Sequence, residues 1–96
     1  MYGTIARMIV KPGMETQFEQ VTQEISAERA PGEVGAYVYQ MDRNSREFYL
    51  VAIFESREAY HANAVRPEQH QNFLKLMQVL EAEPEWNDGE IVYSAV

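Results

Sequence analysis

The chain has 96 residues, with fifteen acidic and eight basic side chains, a formal net charge of −7 and no cysteine. That length suits one domain, residues 1–96, able to bury roughly two-thirds of its unfolded surface. The missing cysteine excludes disulfides, thiolate metal sites and a thiol nucleophile. The cations, scattered from Arg7 to Lys75 without forming a stripe, argue against binding a nucleic-acid backbone and disfavour a strongly anionic substrate. No apolar run approaches the ~18 residues of a membrane span, and the N-terminus lacks a signal-peptide layout. The expectation is a cytoplasmic protein with no membrane partner.

Gly3 to Val10 reads as the first strand. Thr4, Ala6, Met8 and Val10 share one face, Ile5, Arg7 and Ile9 the other, and Lys11-Pro12-Gly13 stops it. From Met14 the period changes: Met14, Phe18, Val21 and Ile25 recur at helical spacing among glutamates, predicting an amphipathic helix of about four turns. Ala30-Pro31-Gly32 ends it. Val34 to Met41 reads as a second strand, with Gly35, Tyr37, Tyr39 and Met41 on one face and Val34, Ala36 and Val38 on the other. Asp42-Arg43-Asn44-Ser45 suits a hairpin turn.

The turn leads into Phe48-Tyr49-Leu50-Val51-Ala52-Ile53-Phe54, an unbroken apolar and aromatic run between polar flanks. Its length and aromatic content favour a strand. Phe48, Leu50, Ala52 and Phe54 then share one face and Tyr49, Val51 and Ile53 the other, so the strand must be covered on both sides. Ser56 is a good N-cap for a helix through Ala64, and Pro67 fits the first turn of another carrying Phe73, Leu76, Met77 and Leu80. Glu81 to Asp88 reads as an acidic loop holding the only tryptophan, Trp86, and Gly89 to Val96 as a last alternating strand.

The order β-α-β-β-α-α-β predicts a ferredoxin-like α+β fold, an antiparallel sheet with its helices on one face. The helices are used up on that face. A solvated sheet face should alternate apolar with polar residues, and the core strand does not. Sheet-to-sheet packing with a second copy covers it, so the expected partner is an identical subunit.

Lys11-Pro12-Gly13, Ala30-Pro31-Gly32, the segment Phe54-Glu55-Ser56-Arg57-Glu58-Ala59-Tyr60 and Pro67-Glu68 before Phe73 together resemble the antibiotic biosynthesis monooxygenase domain family. The resemblance spans nearly the whole chain, and its most specific part is the segment closing the core strand. It implies a dimeric α/β barrel. Its relatives include cofactor-independent quinol and anthrone monooxygenases, haem-degrading monooxygenases, a sugar-phosphate isomerase and proteins of no known activity. The haem-degrading pattern of Asn, Trp and His falls here on Ala6, Asn63 and Phe73, which leaves no axial donor. The anthrone-type pattern fits better. Its functional Tyr matches Tyr60 and a following Asn matches Asn63, while its strand His, Trp and Asn fall on Tyr39, Phe54 and Leu50.

The resemblance places a pocket between the helices and the face of Phe48, Leu50, Ala52 and Phe54. Ala6, Tyr37, Tyr39 and Tyr93 are expected on that face, with Tyr60, Asn63, Phe73, Met77 and Trp86 closing over it. Such a cavity suits a small hydroxylated aromatic, a quinol or anthrone, oxygenated without metal, haem or flavin. Tyr60, His61 and Asn63 are the catalytic candidates, and Tyr37, Tyr39, Leu50, Phe54, Phe73 and Trp86 the substrate-binding ones. His61 and His70 are the only side chains whose ordinary pKa lies near neutrality. Each candidate also has a plainer reading: Tyr60 as packing, the histidines as exposed helix residues, Asn63 as a helix-end cap, Trp86 as a dimer anchor. The rival function is a non-catalytic dimeric binder of a hydrophobic metabolite. Glu58-x-x-His61 lacks the second carboxylate–histidine pair of a di-iron bundle, and His61 and His70 are not a helical i, i+4 pair, so no metal is expected.

Overall fold

Two glycines in the left-handed region, Gly13 (φ 78°) and Gly32 (φ 80°), turn the chain before the first helix and after it. A side chain at either position would be strained. The computed structural model describes residues 1–95. Its elements are β1 (Tyr2–Ile9), α1 (Glu15–Ser26), β2 (Glu33–Gln40), β3 (Glu47–Phe54), α2 (Arg57–Ala64), α3 (Pro67–Met77) and β4 (Glu85–Glu90). The strands lie in the order β2-β3-β1-β4, and every neighbouring pair is antiparallel. This is the ferredoxin-like α+β arrangement. No helix is long and apolar enough to cross a membrane among the described residues.

The helices start where local chemistry dictates. The Ser56 hydroxyl accepts from the Ala59 N–H at 3.1 Å and caps α2, satisfying one of the donors a helix start leaves unpaired. Pro67 opens α3 in its first turn, where its missing N–H costs nothing. One face of β1 and β3 packs with α1 and α3 into the core, which holds Ala6, Met8, Val10, Phe18, Phe48 and Leu76, with Val79 and Leu80 from the segment after α3. The Phe18 and Phe48 rings meet at 4.5 Å and 40°. Full burial of a ring like Phe18 stabilises by about 1.5–3 kcal/mol.

The opposite sheet face has no cover among the described residues. Ile5, Tyr37 and Tyr39 are exposed there, beside half-buried Tyr49, Val51 and Ile53. At one end of this face Glu47 is only 2% exposed. Its carboxylate accepts from Arg43 Nε at 2.6 Å and from Arg7 Nε at 2.7 Å, and Arg7 also reaches Glu85 at 3.1 Å. Hydrogen bonds from Arg43 and then Arg7 hold the Glu47 carboxyl down to about 2. The buried charge is tolerable because it is paired and hydrogen-bonded.

Two sequence expectations change here. The last strand is Glu85–Glu90, not Gly89–Val96. Residues 91–95 continue without regular structure after Ile91 N–H donates to the Met1 carbonyl; Val96 lies outside the described residues. Trp86 therefore sits on a strand, opposite Ala6, and Tyr93 is 81% exposed and off the pocket face. Tyr37 and Tyr39 change sides. Register pairs them with Val51 and Tyr49, whereas Ala36 and Val38 pair with Ala52 and Leu50. Directly opposed residues share a face, so both tyrosines lie on the helix-free face.

Candidate functional site

Between the helices and the inner face of the sheet lies a cavity of about 600 Å³, within the range of small-molecule sites. Leu50, Ala52 and Phe54 of β3 line its floor, with Val38 of β2 beside them; Phe18, Phe73 and Trp86 contribute from α1, α3 and β4. Val38 stays 45% exposed, so the β2 side is open to water. Of the binding candidates, Leu50, Phe54, Phe73 and Trp86 are brought together, and Tyr37 and Tyr39 are not.

The three catalytic candidates all stand on α2 and all line the cavity. Tyr60 is the most constrained. Its ring contacts Phe54 edge-on at 5.4 Å and Tyr2 at 5.4 Å, and its phenol donates to Asp88 Oδ1 at 2.8 Å. Burial first, and then the hydrogen bond to Asp88, push the Tyr60 phenol up to about 12. It is therefore a neutral hydroxyl throughout the physiological range. The Thr4 hydroxyl approaches the phenol from β1 and partly offsets that rise, but without reaching hydrogen-bond geometry.

His61 is exposed, with its ring 5.5 Å from Tyr60 and 5.8 Å from Tyr2. Asn63 is committed elsewhere. Its amide nitrogen donates to Gln69 Oε1 at 3.4 Å, and its amide oxygen accepts from Arg66 at 3.1 Å, which ties α2 to the start of α3. Trp86 is 42% exposed on the cavity wall. Among the described residues no three His, Asp or Glu side chains gather into a group able to hold a metal ion.

Two site residues escape the sequence. Thr4 is 4% exposed, lines the cavity, and its Oγ1 has no hydrogen-bond partner among the described residues. The available signal was one hydroxyl on the otherwise apolar stripe Thr4, Ala6, Met8, Val10. Asp88 stands directly opposite Thr4 across the β1–β4 ladder. A strand assigned to begin at Gly89 hides it.

An antiparallel four-stranded sheet carrying three helices, with an aromatic-walled cavity between the two layers, defines a small ferredoxin-like α+β protein. More specifically, the chain belongs to the antibiotic biosynthesis monooxygenase family, whose sequence model matches residues 1–76. No curated protein matches it significantly. Solved structures match along nearly the full length at low identity. SnoaB, a cofactor-independent oxygenase from Streptomyces nogalater, superposes with a TM-score of 0.85 at 17% identity, over 97% of this chain and 94% of that one. An antibiotic biosynthesis monooxygenase homologue from Caulobacter crescentus CB15 gives 0.85 at 15% identity, over 96% and 90%. A conserved protein from Methanosarcina mazei Go1 gives 0.82 at 19% identity, over 92% and 89%. At these identities the likeness is one of fold. Trp86 and Asp88 lie beyond the stretch matched by the family model.

Proposed function

We propose that the chain, as one domain over residues 1–96, is a cofactor-independent monooxygenase acting on a small hydroxylated aromatic, a quinol or an anthrone, in the helix–sheet cavity. The observation that carries this reading is a mostly apolar cavity of ligand size with a neutral phenol, Tyr60, fixed at its wall, in a member of this family. The substrate supplies the electrons. A quinol and dioxygen give a hydroxyquinone and water, one oxygen atom entering the ring and the other leaving as water. The protein need only favour the substrate anion, orient it towards dioxygen and limit water. Leu50, Phe54, Phe73 and Trp86 hold the ring system, and Tyr60 and His61 address its oxygen. Asn63 serves by tying the end of α2, the helix that carries Tyr60 and His61, to the start of α3.

The protein works in this reading as a cytoplasmic homodimer. Exposed Ile5, Tyr37 and Tyr39, together with Tyr49, Val51 and Ile53, offer an apolar face suited to a second sheet. A stable 11 kDa monomer in sedimentation at micromolar concentration contradicts it.

Oxygen uptake with a panel of quinols, including 1,4-dihydroxynaphthalene, and anthrones tests the activity. Uptake above the uncatalysed blank is expected, and it should be reduced in Tyr60→Phe combined with His61→Ala. Uptake equal to the blank throughout refutes it. A second reading, a non-catalytic binder of a hydrophobic metabolite, is favoured by the committed amide of Asn63 and by apolar Leu50 on the core strand. It predicts ligand-induced thermal stabilisation without turnover.

A further inference from the structure

At one end of the cavity three hydroxyl or carboxyl groups from three elements converge. Thr4 stands on β1 and Asp88 opposite it on β4, with Tyr60 of α2 over both. The hydrogen-bond inventory of this corner is unbalanced. Tyr60 spends its single proton on Asp88 Oδ1 at 2.8 Å, leaving its oxygen as an acceptor. Thr4 Oγ1, on a residue 4% exposed, has no partner among the described residues. It can donate one hydrogen bond into the cavity. Leaving such a buried hydroxyl unpaired carries a desolvation cost, so a ligand atom that pairs with it has something to gain.

A group that completes both must accept from Thr4 and donate to Tyr60. A hydroxyl does both with one oxygen. A carbonyl or an ether oxygen can only accept, and it leaves the Tyr60 lone pair unmet. We propose that Thr4 and Tyr60 form a seat selective for an aromatic hydroxyl, and that Asp88, acting through Tyr60, takes the proton when that hydroxyl ionises. The ligand O–H proton passes to Tyr60 Oη while the Tyr60 proton passes to Asp88 Oδ1. The phenol is regenerated, the carboxylate becomes a carboxylic acid, and the electron pair of the broken O–H bond stays on the ligand oxygen. The net charge of the corner does not change; it moves from Asp88 onto the ligand. A base in addition to His61, which lines the cavity as an exposed residue, is thus supplied from the neighbouring strand.

The proton-transfer half of this inference rests on the oxygenase reading, and the seat itself does not. Calorimetric titration with 1-naphthol and with 1-methoxynaphthalene, which keeps the acceptor but loses the donor, reads the seat. The wild type should prefer naphthol at least about tenfold. Tyr60→Phe should bring the preference to within about twofold, whereas Thr4→Val should weaken both probes about equally and keep the preference, and Thr4→Ser should bind both as the wild type does. Asp88→Asn still accepts from Tyr60 but is not a base. It should retain the naphthol preference while kcat for 1,4-dihydroxynaphthalene oxygenation falls about 100-fold at nearly unchanged KM, with partial recovery in Asp88→Glu. Circular dichroism melts confirm that each variant is folded.

Equal affinity for the two probes in the wild type overturns the seat. Undiminished kcat in Asp88→Asn overturns the proton path. A wild type that prefers naphthol yet consumes no oxygen with any quinol supports the seat and overturns the oxygenase reading. Binding of neither probe overturns the seat and the cavity reading together.

Discussion

Replacing Tyr60 by Phe removes a group whose acidity differs between the folded and unfolded chain. In the fold the phenol stands at about 12, against 10.0 for an unperturbed tyrosine, because burial and the Asp88 hydrogen bond both favour the neutral form. The folded state therefore holds this proton more tightly than the unfolded one. The resulting stabilisation is fully present below pH 10 and is lost as pH rises towards 12, since the unfolded chain ionises first. A gap of about two pH units corresponds to about 2.7 kcal/mol if fully expressed. The phenol is only half-buried and Asp88 is open to water, so screening reduces the expected effect to about 1 kcal/mol. Urea unfolding of wild type and Tyr60→Phe at intervals from pH 8 to pH 12 reads it directly. Contributions common to both proteins cancel in the difference. The wild-type advantage should shrink by about 1 kcal/mol across that range, with m-values equal. Stability curves that stay parallel from pH 8 to pH 12 would refute the assigned environment of Tyr60.

Two further substitutions probe the frame around the site. Phe18→Ala deletes a ring 1% exposed that packs on Phe48 and also lines the cavity; it should cost about 3–5 kcal/mol in urea unfolding. Naphthalene should recover more stability in this variant than in the wild type, because the deleted volume joins the ligand space, and equal recovery would contradict that continuity. Glu47→Gln acts at the acidic end of the scale. With its carboxyl held down to about 2 from an ordinary 4.5, Glu47 stabilises the fold above pH 4.5, and that contribution is lost as pH falls through about 2. The variant should melt lower than wild type at pH 6, and the difference should close between pH 4.5 and pH 2. A gap independent of pH would show that the two arginines are not the source of the stabilisation.

Most of the architecture was legible because burial leaves a period in the sequence. The run Phe48–Phe54 has apolar residues on both faces, and the structure gives one to the helices and leaves the other uncovered. The Met14, Phe18, Val21, Ile25 spacing gave α1, and Ser56 and Pro67 marked the two later helix starts. Legibility failed where neither face of a strand enters the core. β2 carries apolar side chains on both faces, so alternation shows which residues travel together without showing which set points inward. A register irregularity between Glu33 and Gly35 adds to that ambiguity. β4 failed for the complementary reason. Its inner residues Trp86 and Asp88 face a cavity, its outer residues are polar, and every position is exposed. Glu85-Trp86-Asn87-Asp88-Gly89-Glu90 therefore reads as a loop, while the apolar alternation just after it imitates a strand. Asp88 was lost with β4, and Thr4 was in view without a partner to give it meaning.

The acidic character of β4 has a consequence for how the sheet meets other chains. A border strand exposes unpaired backbone groups that invite a further strand to add on. On β4 that border carries Glu85, Asp88 and Glu90 within six residues, so a second copy approaching there brings like charges together in a narrow space. β2, the other border, carries Val34, Tyr37, Val38 and Tyr39, all exposed, and no acidic residue after Glu33. Growth of the sheet by strand addition is thus blocked on one side and open on the other. If this protein aggregates when concentrated or partly unfolded, β2 is the side from which it will start.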